Sequence, residues 1–308
     1  VVCEEVLRPQ SEWGFLDVEG PVTAAEALFP VVNVAQVRQL SPFRYPGGKT
    51  WLMPRLRAWL SSFSGDSFVF VEPFAGGAMA GLTVAAENRC CRVELGELDK
   101  GVSAVWSLIF GGRDIDVAVL CRRIRMFKVN LESVEAVLRS EPKDRIDAAF
   151  QTIIRNRMQR GGIMAKGAGL IKRGENDHGL TSRWYPETLA RRIEFLRTLR
   201  ERVAFHQTDA FDLIKAHADD QAAVFFIDPP YTAGRKSAGK RLYEHNEVNH
   251  EALFAAVASV RGRAMATYND APEVRALASK HGFKVDLVPM KNTHHAVMSE
   301  LIILKEGG

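Results

Sequence analysis

A run of six apolar residues, Ala222-Ala223-Val224-Phe225-Phe226-Ile227, stops abruptly at Asp228-Pro229-Pro230-Tyr231. Few folds accept such a segment. An unbroken apolar run of this length predicts a strand buried on both faces of a mainly parallel sheet. Ligands of open α/β sheets gather at the carboxyl ends of the strands, where the tetrapeptide falls. Pro229 biases Asp228 to an extended backbone, and both prolines fix their own φ. The result is a stiff corner presenting a carboxylate, carbonyls without competing amide donors, and an aromatic face. That set suits a flat heteroaromatic ring with an exocyclic amino group. Asp228 and a proline carbonyl can accept the two amino protons while Tyr231 stacks on the ring. A strand closed by a proline turn and an aromatic plug is the plainer alternative, and the tetrapeptide alone does not separate the two.

Its surroundings are more telling. Phe68-Val69-Phe70-Val71 reads as a strand, Glu72-Pro73-Phe74-Ala75-Gly76-Gly77-Ala78 as a tight turn, and 79–87 as a helix. A second strand at Arg92-Val93-Glu94-Leu95 ends near Glu97-Leu98-Asp99, and a helix follows from about Val102 to Phe110. Strand, glycine turn, helix, strand and acidic residue open a doubly wound α/β fold. Paired Gly76-Gly77 would let a ligand approach the backbone, although turn chemistry alone also explains them. Asp99 could hydrogen-bond ribose hydroxyls or stand as a solvated carboxylate. Asp209, again between a strand and a helix, reads as an N-cap or a ligand contact, and the two are compatible. Lys49 follows Gly47-Gly48 at a helix start. No Gly-x-x-x-x-Gly-Lys-[Ser/Thr] or Gly-x-Gly-x-x-Gly spacing occurs, which disfavours an NTPase and a hydride-transfer enzyme.

From Gly111 to about Glu201 the pattern turns helical, with one helix signalled by Ser182 and Pro186. Strand character resumes at 203–206, 222–227, 263–268, 283–288 and 300–304. The helical stretch also holds the charge. Between Gln151 and Arg200 stand eleven lysines and arginines against four acidic residues, in a chain whose net charge is only +4. That is the footprint of a polyanion-binding surface, or else a solvated basic face. Four cysteines show no metal-ligand spacing, so no metal is expected. Neither a signal peptide nor a membrane-spanning apolar stretch is evident.

The order Pro-Gly-Gly-Lys, Glu-Pro-Phe-Ala-Gly-Gly, strand-end Asp, helical insertion, Asp-Pro-Pro-Tyr resembles the alpha-group, Dam-like adenine-specific DNA methyltransferases over about residues 41–308. The resemblance implies a Rossmann-like methyltransferase sheet with S-adenosyl-L-methionine as cofactor. Phe43 to Lys49 (including Tyr45, Gly48 and Lys49) and Val71 to Gly77 (including Glu72, Phe74, Gly76 and Gly77) would line its pocket. Asp99 would hold the ribose and Asp209 would face the adenine of the cofactor. Asp228, Pro229, Pro230 and Tyr231 would form the catalytic loop. Asn156-Arg157, followed by Gly161-Gly162, is similar to the family's Asn-Arg element in the DNA-recognition insertion. Thr267-Tyr268-Asn269-Asp270 with Pro272-Glu273 also looks similar to family members. The stretch Gly161 to Gly179 departs from the GATC-reading members, so the recognition sequence stays open.

Three parts are therefore expected. They are an N-terminal extension of unassigned role (1–40), a catalytic α/β domain (41–110 with 201–308), and an inserted helical target-recognition domain (111–200). Duplex DNA is the expected partner, contacted by Arg155, Asn156, Arg157, Arg160, Lys166, Lys172, Arg173 and Arg183, with Arg235 and Lys236 on a second loop. A cytoplasmic, DNA-associated monomer is expected, with a cognate restriction endonuclease as a candidate partner. The reaction implied is methyl transfer to the exocyclic amino group of a flipped adenine. A cytosine-amino methyltransferase and a non-catalytic DNA-binding protein with a degenerate pocket are the alternatives.

Overall fold

The computed structural model describes residues 37–44, 48–63, 67–162, 164, 168–174, 177–230, 248–291 and 297–307. Tyr45, Lys166, Tyr231, Arg235 and Lys236 lie outside them. Seven strands form one sheet: β1 Val69–Glu72, β2 Arg92–Glu97, β3 Val203–Gln207, β4 Ala223–Ile227, β5 Arg263–Asn269, β6 Lys284–Lys291 and β7 Val297–Lys305. Their order is β3-β2-β1-β4-β5-β7-β6. Strands β1 to β5 pair in parallel, while β7 enters antiparallel between β5 and β6. The chain winds outward from β1 through β2 to β3, then returns to place β4 against the other side of β1. That reversal opens a crevice at the carboxyl ends of β1 and β4, the usual ligand position of a doubly wound sheet.

The apolar run becomes the strand it predicts. All five residues of β4 are buried. Val224 and Phe226 enter the core on one face, and Ala223, Phe225 and Ile227 the core on the other. Alternation of side chains along a strand requires both faces to be covered. On the first face lie α1 Met53–Ser61, α2 Met79–Ala86 and α3 Lys100–Gly111, and on the second α8 Ala210–Ala216, α9 His250–Ser259 and α10 Pro272–Lys280. Helix α2 is buried on nearly every side, so it has no polar face to point at water. Pro289 sits in β6 at the sheet edge, where a missing amide donor is tolerated.

Between α3 and β3 come α4 Asp114–Met126, α5 Leu131–Arg139, α6 Arg145–Met158 and α7 Pro186–Arg197. Asn130 and Asp144 accept amide hydrogen bonds at the N-termini of α5 and α6, and Pro186 opens α7. Val117, Leu120 and Ile124 of α4 and Phe150 and Ile153 of α6 share one apolar core with Trp106 of α3 and Phe70 of β1. The inserted helices are thus packed onto the body of the sheet domain. Among the described residues, no helix is long and apolar enough to cross a membrane.

The strands approach closely where glycine permits it. A Cβ at Gly262, just before β5, would collide with the carbonyl oxygen of Ala223 and lie 3.1 Å from that of Asp220. Both contacts are backbone and cannot swing away. Gly262→Ala should lower the unfolding free energy by about 1–3 kcal/mol, read as a lower midpoint in denaturant titration. An unchanged midpoint would contradict this packing.

Candidate active site

Four carboxyl groups stand at the carboxyl ends of β1 to β4: Glu72, Glu97, Asp209 and Asp228. After β1 the chain turns with positive φ at Gly76 (47°) and Ala78 (52°) before entering α2. Glu97 ties this turn to the next. Its Oε2 accepts from the amide of Gly76 at 2.8 Å and its Oε1 from the amide of Asp99 at 2.8 Å. The indole of Trp106 donates to the carbonyl of Gly76 at 2.9 Å. Burial raises the Glu97 pKa above the usual carboxylate range, and these amide hydrogen bonds hold it back. Glu72 is buried, accepts from the amide of Gly81 at 2.7 Å, and is pushed well above its ordinary pKa. Burial is the main cause and the charge of Asp228 adds to it. The Glu72 carboxyl therefore favours its protonated form.

Asp99 and Asp209 both take the capping option. Asp99 accepts from the amide of Val102 at the start of α3, and Asp209 from that of Phe211 at the start of α8, each at 2.8 Å. A carboxylate has capacity for further donors, so capping leaves ligand contacts open. Gly77 is buried in the turn, Phe74 leans on the second core, and Gly48 is exposed.

Asp228 follows β4 and is the centre of a buried charge cluster. The Lys49 ammonium lies 3.0 Å from Asp228 Oδ1 and 3.8 Å from Glu300 Oε2. Thr267 on β5 donates its hydroxyl to Asp228 Oδ1 at 2.8 Å. Lys49 is only 4% exposed. Its glycine-flanked position before a helix suggests a phosphate-type contact, whereas the structure turns the amine inward onto Asp228. No motif marks Glu300 as a site residue, and Thr267 is marked only by the family likeness of 267–270. The one local signal for Glu300 is an acidic residue opening the apolar run Leu301-Ile302-Ile303-Leu304.

The basic insertion divides in two. Arg160, Lys172 and Arg173 are exposed, close to the two arms of a short antiparallel bridge between Gln159 and Leu170. Arg155 and Arg183 are half-buried. Asn156 and Arg157 differ from the expectation of DNA contact, because both are buried and used internally. Asn156 accepts from the amide of Arg44 at 2.8 Å and donates to the carbonyls of Arg44 at 2.9 Å and Gly162 at 3.1 Å. Arg157 donates to the carbonyl of Pro42. They clamp the segment that leads to Lys49. Burial, with the charges of Arg192, Arg44 and Arg183, lowers the Arg157 pKa to about 9. Among the described residues, no group of three or more His, Cys, Asp or Glu is placed to hold a metal ion.

With this geometry in place, one comparison is informative. Residues 178–289 match the family model of the D12 class N6 adenine-specific DNA methyltransferase. The matched segment, less than half of the chain, includes Asp209, Asp228 and all of β5. It agrees with the resemblance read from the motifs. The sheet is a doubly wound α/β sheet with one antiparallel strand, β7, set between β5 and β6. The match supports an S-adenosylmethionine-dependent methyltransferase.

Among solved structures, the fold is similar to a candidate RNA methyltransferase from Pyrococcus horikoshii, at 10% identity over 89% of this chain and 94% of that one, TM-score 0.38. It is also similar to an rRNA methyltransferase from Streptomyces viridochromogenes, at 16% identity over 89% and 94%, TM-score 0.37. A precorrin-6y C5,15-methyltransferase from Geobacter metallireducens gives 10% identity over 90% and 97%, TM-score 0.35. Likenesses this distant transfer no substrate to this chain. No curated protein matches the sequence.

The clamp yields a direct test. Asn156→Ala removes three hydrogen bonds at a buried position, two to the backbone of Arg44 and one to that of Gly162. Stability should fall by about 2–4 kcal/mol, from about 0.5–1.5 kcal/mol for each bond lost. Thermal denaturation reads this loss. Wild-type stability with weakened DNA binding would make Asn156 a DNA contact after all.

Proposed function

We propose that the protein methylates the exocyclic amino group of adenine in duplex DNA at specific sites. The observation that carries this reading is Asp228, held by Lys49 and Thr267 at the switch point of the sheet and followed by two prolines. The pocket residues fit the cofactor. Carboxyl groups at four adjacent strand ends, with backbone amides in a glycine turn, suit a cationic donor bearing ribose hydroxyls better than a string of phosphates. Glu97 and Asp99 lie where the ribose would be held, and Asp209 beside the adenine of the cofactor. When bound, S-adenosylmethionine supplies an electrophilic methyl group, so no covalent enzyme intermediate is needed.

The protein's task is to prepare the nucleophile. The adenine amino lone pair is delocalised into the ring and is therefore weak. Asp228 and the carbonyl of Pro229 accept the two amino protons, which favours a pyramidal nitrogen and aims its lone pair. Positioning and preorganised electrostatics of this kind account for large rate factors. Asp228 and the Pro229 carbonyl hold the amino nitrogen whose lone pair would form the new N–C bond, while the bound cofactor would give up its methyl group and keep the S–C electron pair. One amino proton then leaves through the Asp228 carboxylate to solvent. In a duplex the amino nitrogen is out of reach, so the base is flipped. Stacking on Tyr231 offsets part of the cost, on the order of 1–3 kcal/mol per base. Exposed Arg160, Lys172 and Arg173 supply phosphate contacts, joined by Arg155 and Arg183 at the rim and by Lys166, Arg235 and Lys236 from the sequence pattern.

Three outcomes are expected. Asp228→Ala should reduce methyl transfer on the order of 10²–10³-fold or more while DNA affinity changes little, measured by labelled-methyl incorporation and filter binding. Retention of wild-type turnover would remove Asp228 from the chemistry. Nucleoside analysis of the product identifies N6-methyladenine, and recovery of N4-methylcytosine would move the target to cytosine. Replacing Arg160, Lys172 or Arg173 with Ala should each reduce the slope of log affinity against log salt by about 0.9 for every phosphate no longer neutralised. A slope that no substitution alters would place DNA elsewhere on the surface.

A further inference from the structure

We propose that Glu300 is a positioning residue for this reaction, sharing the Lys49 ammonium with Asp228 so that the cluster carries a net negative charge at the reacting amine. The inference rests on the methyltransferase reading given above. Its starting point is an asymmetry in the cluster. Asp228 Oδ1 receives two donors, the Lys49 ammonium at 3.0 Å and the Thr267 hydroxyl at 2.8 Å. Glu300 Oε2 meets the same ammonium only at 3.8 Å and has no hydrogen-bond partner, although it is buried. One carboxylate is enough to neutralise one lysine. A second, poorly satisfied carboxylate in the same buried site costs stability, and such a cost is a mark of functional use.

The fold shows why Glu300 is held there. It lies on β7, paired with Asn269 on β5 and Val288 on β6, so strands on both sides fix its backbone. Ile302, two residues along, points into the first core, and Leu301 and Ile303 into the second. Glu300 therefore faces the same side as Ile302, toward Lys49.

Charge arithmetic gives the role. With Glu300 protonated, Lys49 and Asp228 cancel. With Glu300 ionised, the three groups carry a net charge of −1. During transfer, unit positive charge moves from the donor's sulfur to the nitrogen beside Asp228. A net negative cluster stabilises that development and helps the proton leave. A neutral cluster does not. Burial raises the Glu300 pKa to about 7, with the charge of Lys49 holding it back and that of Asp228 adding to the rise. The ionised, active form is thus populated as pH rises through neutrality.

Other groups face the cluster among the described residues. Glu72 sits across Asp228 and favours its protonated form. Tyr268 on β5 lies beside Asp228, and its buried phenol is raised far above the neutral range. His250 on α9 contacts the Tyr268 hydroxyl at 3.1 Å, and burial lowers its pKa below 6.5. Glu300 is the group placed at about 7, and the Glu300→Gln comparison assigns the limb.

Single-turnover methyl transfer to a duplex DNA substrate, followed from pH 5.5 to 9, tests the assignment. The wild-type rate should rise about tenfold or more through pH 7, since one unit charge a few ångströms away has an effect near that size in water and a larger one in protein. Glu300→Gln should stay near the low-pH wild-type rate throughout, with KM for DNA unchanged. Glu300→Asp should keep a rising limb at reduced amplitude. A limb that persists in Glu300→Gln belongs to another group and overturns the proposal, as does a change confined to KM.

Thermal denaturation provides a readout without turnover. A carboxyl with a raised folded pKa contributes stability at low pH that is lost as pH rises from about 4.5 to about 7. Wild type should therefore lose stability relative to Glu300→Gln across that window, and a flat difference overturns the proposal. Should Glu300→Gln fail to fold, the same two measurements on Glu300→Asp decide the matter. A wild type inert toward DNA yet showing the stability difference defeats the functional reading while leaving the titration of Glu300 in place.

Discussion

The ion pair of Lys49 and Asp228 is the interaction on which the site depends. The Lys49 ammonium is buried, at a cost of several kcal/mol that the partly exposed Asp228 carboxylate helps to offset. Lys49 has no strand to hold it. It belongs to the segment before α1, and that segment is fixed from outside: Asn156 and Arg157 of α6 bind the backbone at Arg44 and Pro42. Phe43 packs edge-to-face on Trp106, with ring centroids 5.3 Å apart. Trp106 in turn holds the carbonyl of Gly76. A chain of contacts thus runs from the inserted helices, through the segment at 41–44, to both the glycine turn and Asp228. Helices that read as an appended recognition unit also help to assemble the site.

The sheet is legible because its signals are local. An apolar run such as 222–227 fits the centre of a parallel sheet and little else, and β1, β2 and β3 are each marked by β-branched or aromatic residues ending in a turn or an acid. The same holds for the turn at Gly76, which needs positive φ, and for Asp228, which two prolines announce. Pairings across the sheet leave no such mark. Thr267 lies 39 residues from Asp228 and the Asn156 amide 112 residues from Arg44. No spacing rule reports such contacts. Asn156 and Arg157 show how this misleads: polar residues in a basic stretch suggest a surface, but α6 turns them inward, where buried backbone groups need partners. Glu97 is visible as part of a strand-end cluster, yet only the fold shows that it, two residues before Asp99, joins the turns after β1 and β2.

Electrostatics then separates two surfaces that a single net charge conceals. The strand ends are lined with carboxyl groups, whereas the exposed charge near the Gln159–Leu170 bridge is basic. Arg157 records the crowding on the basic side, since its neighbours Arg192, Arg44 and Arg183 help push its pKa down to about 9. A protein with +4 overall can hold both because the charges are sorted in space and not averaged.

This sorting bears on how a polyanion could deliver a substrate to an acidic pocket. A phosphate drawn toward Asp99, Asp209 and Asp228 would meet like charge, and the cost would grow as the site closed and water left. A nucleobase is uncharged. If the base alone leaves the stack, the phosphates can remain on the arginines and lysines while a neutral ring with an amino donor enters among acceptors. Under the proposed reaction, base flipping thus does more than expose the nitrogen. It divides the substrate into a charged part and a neutral part, and the protein offers each the surface whose charge suits it.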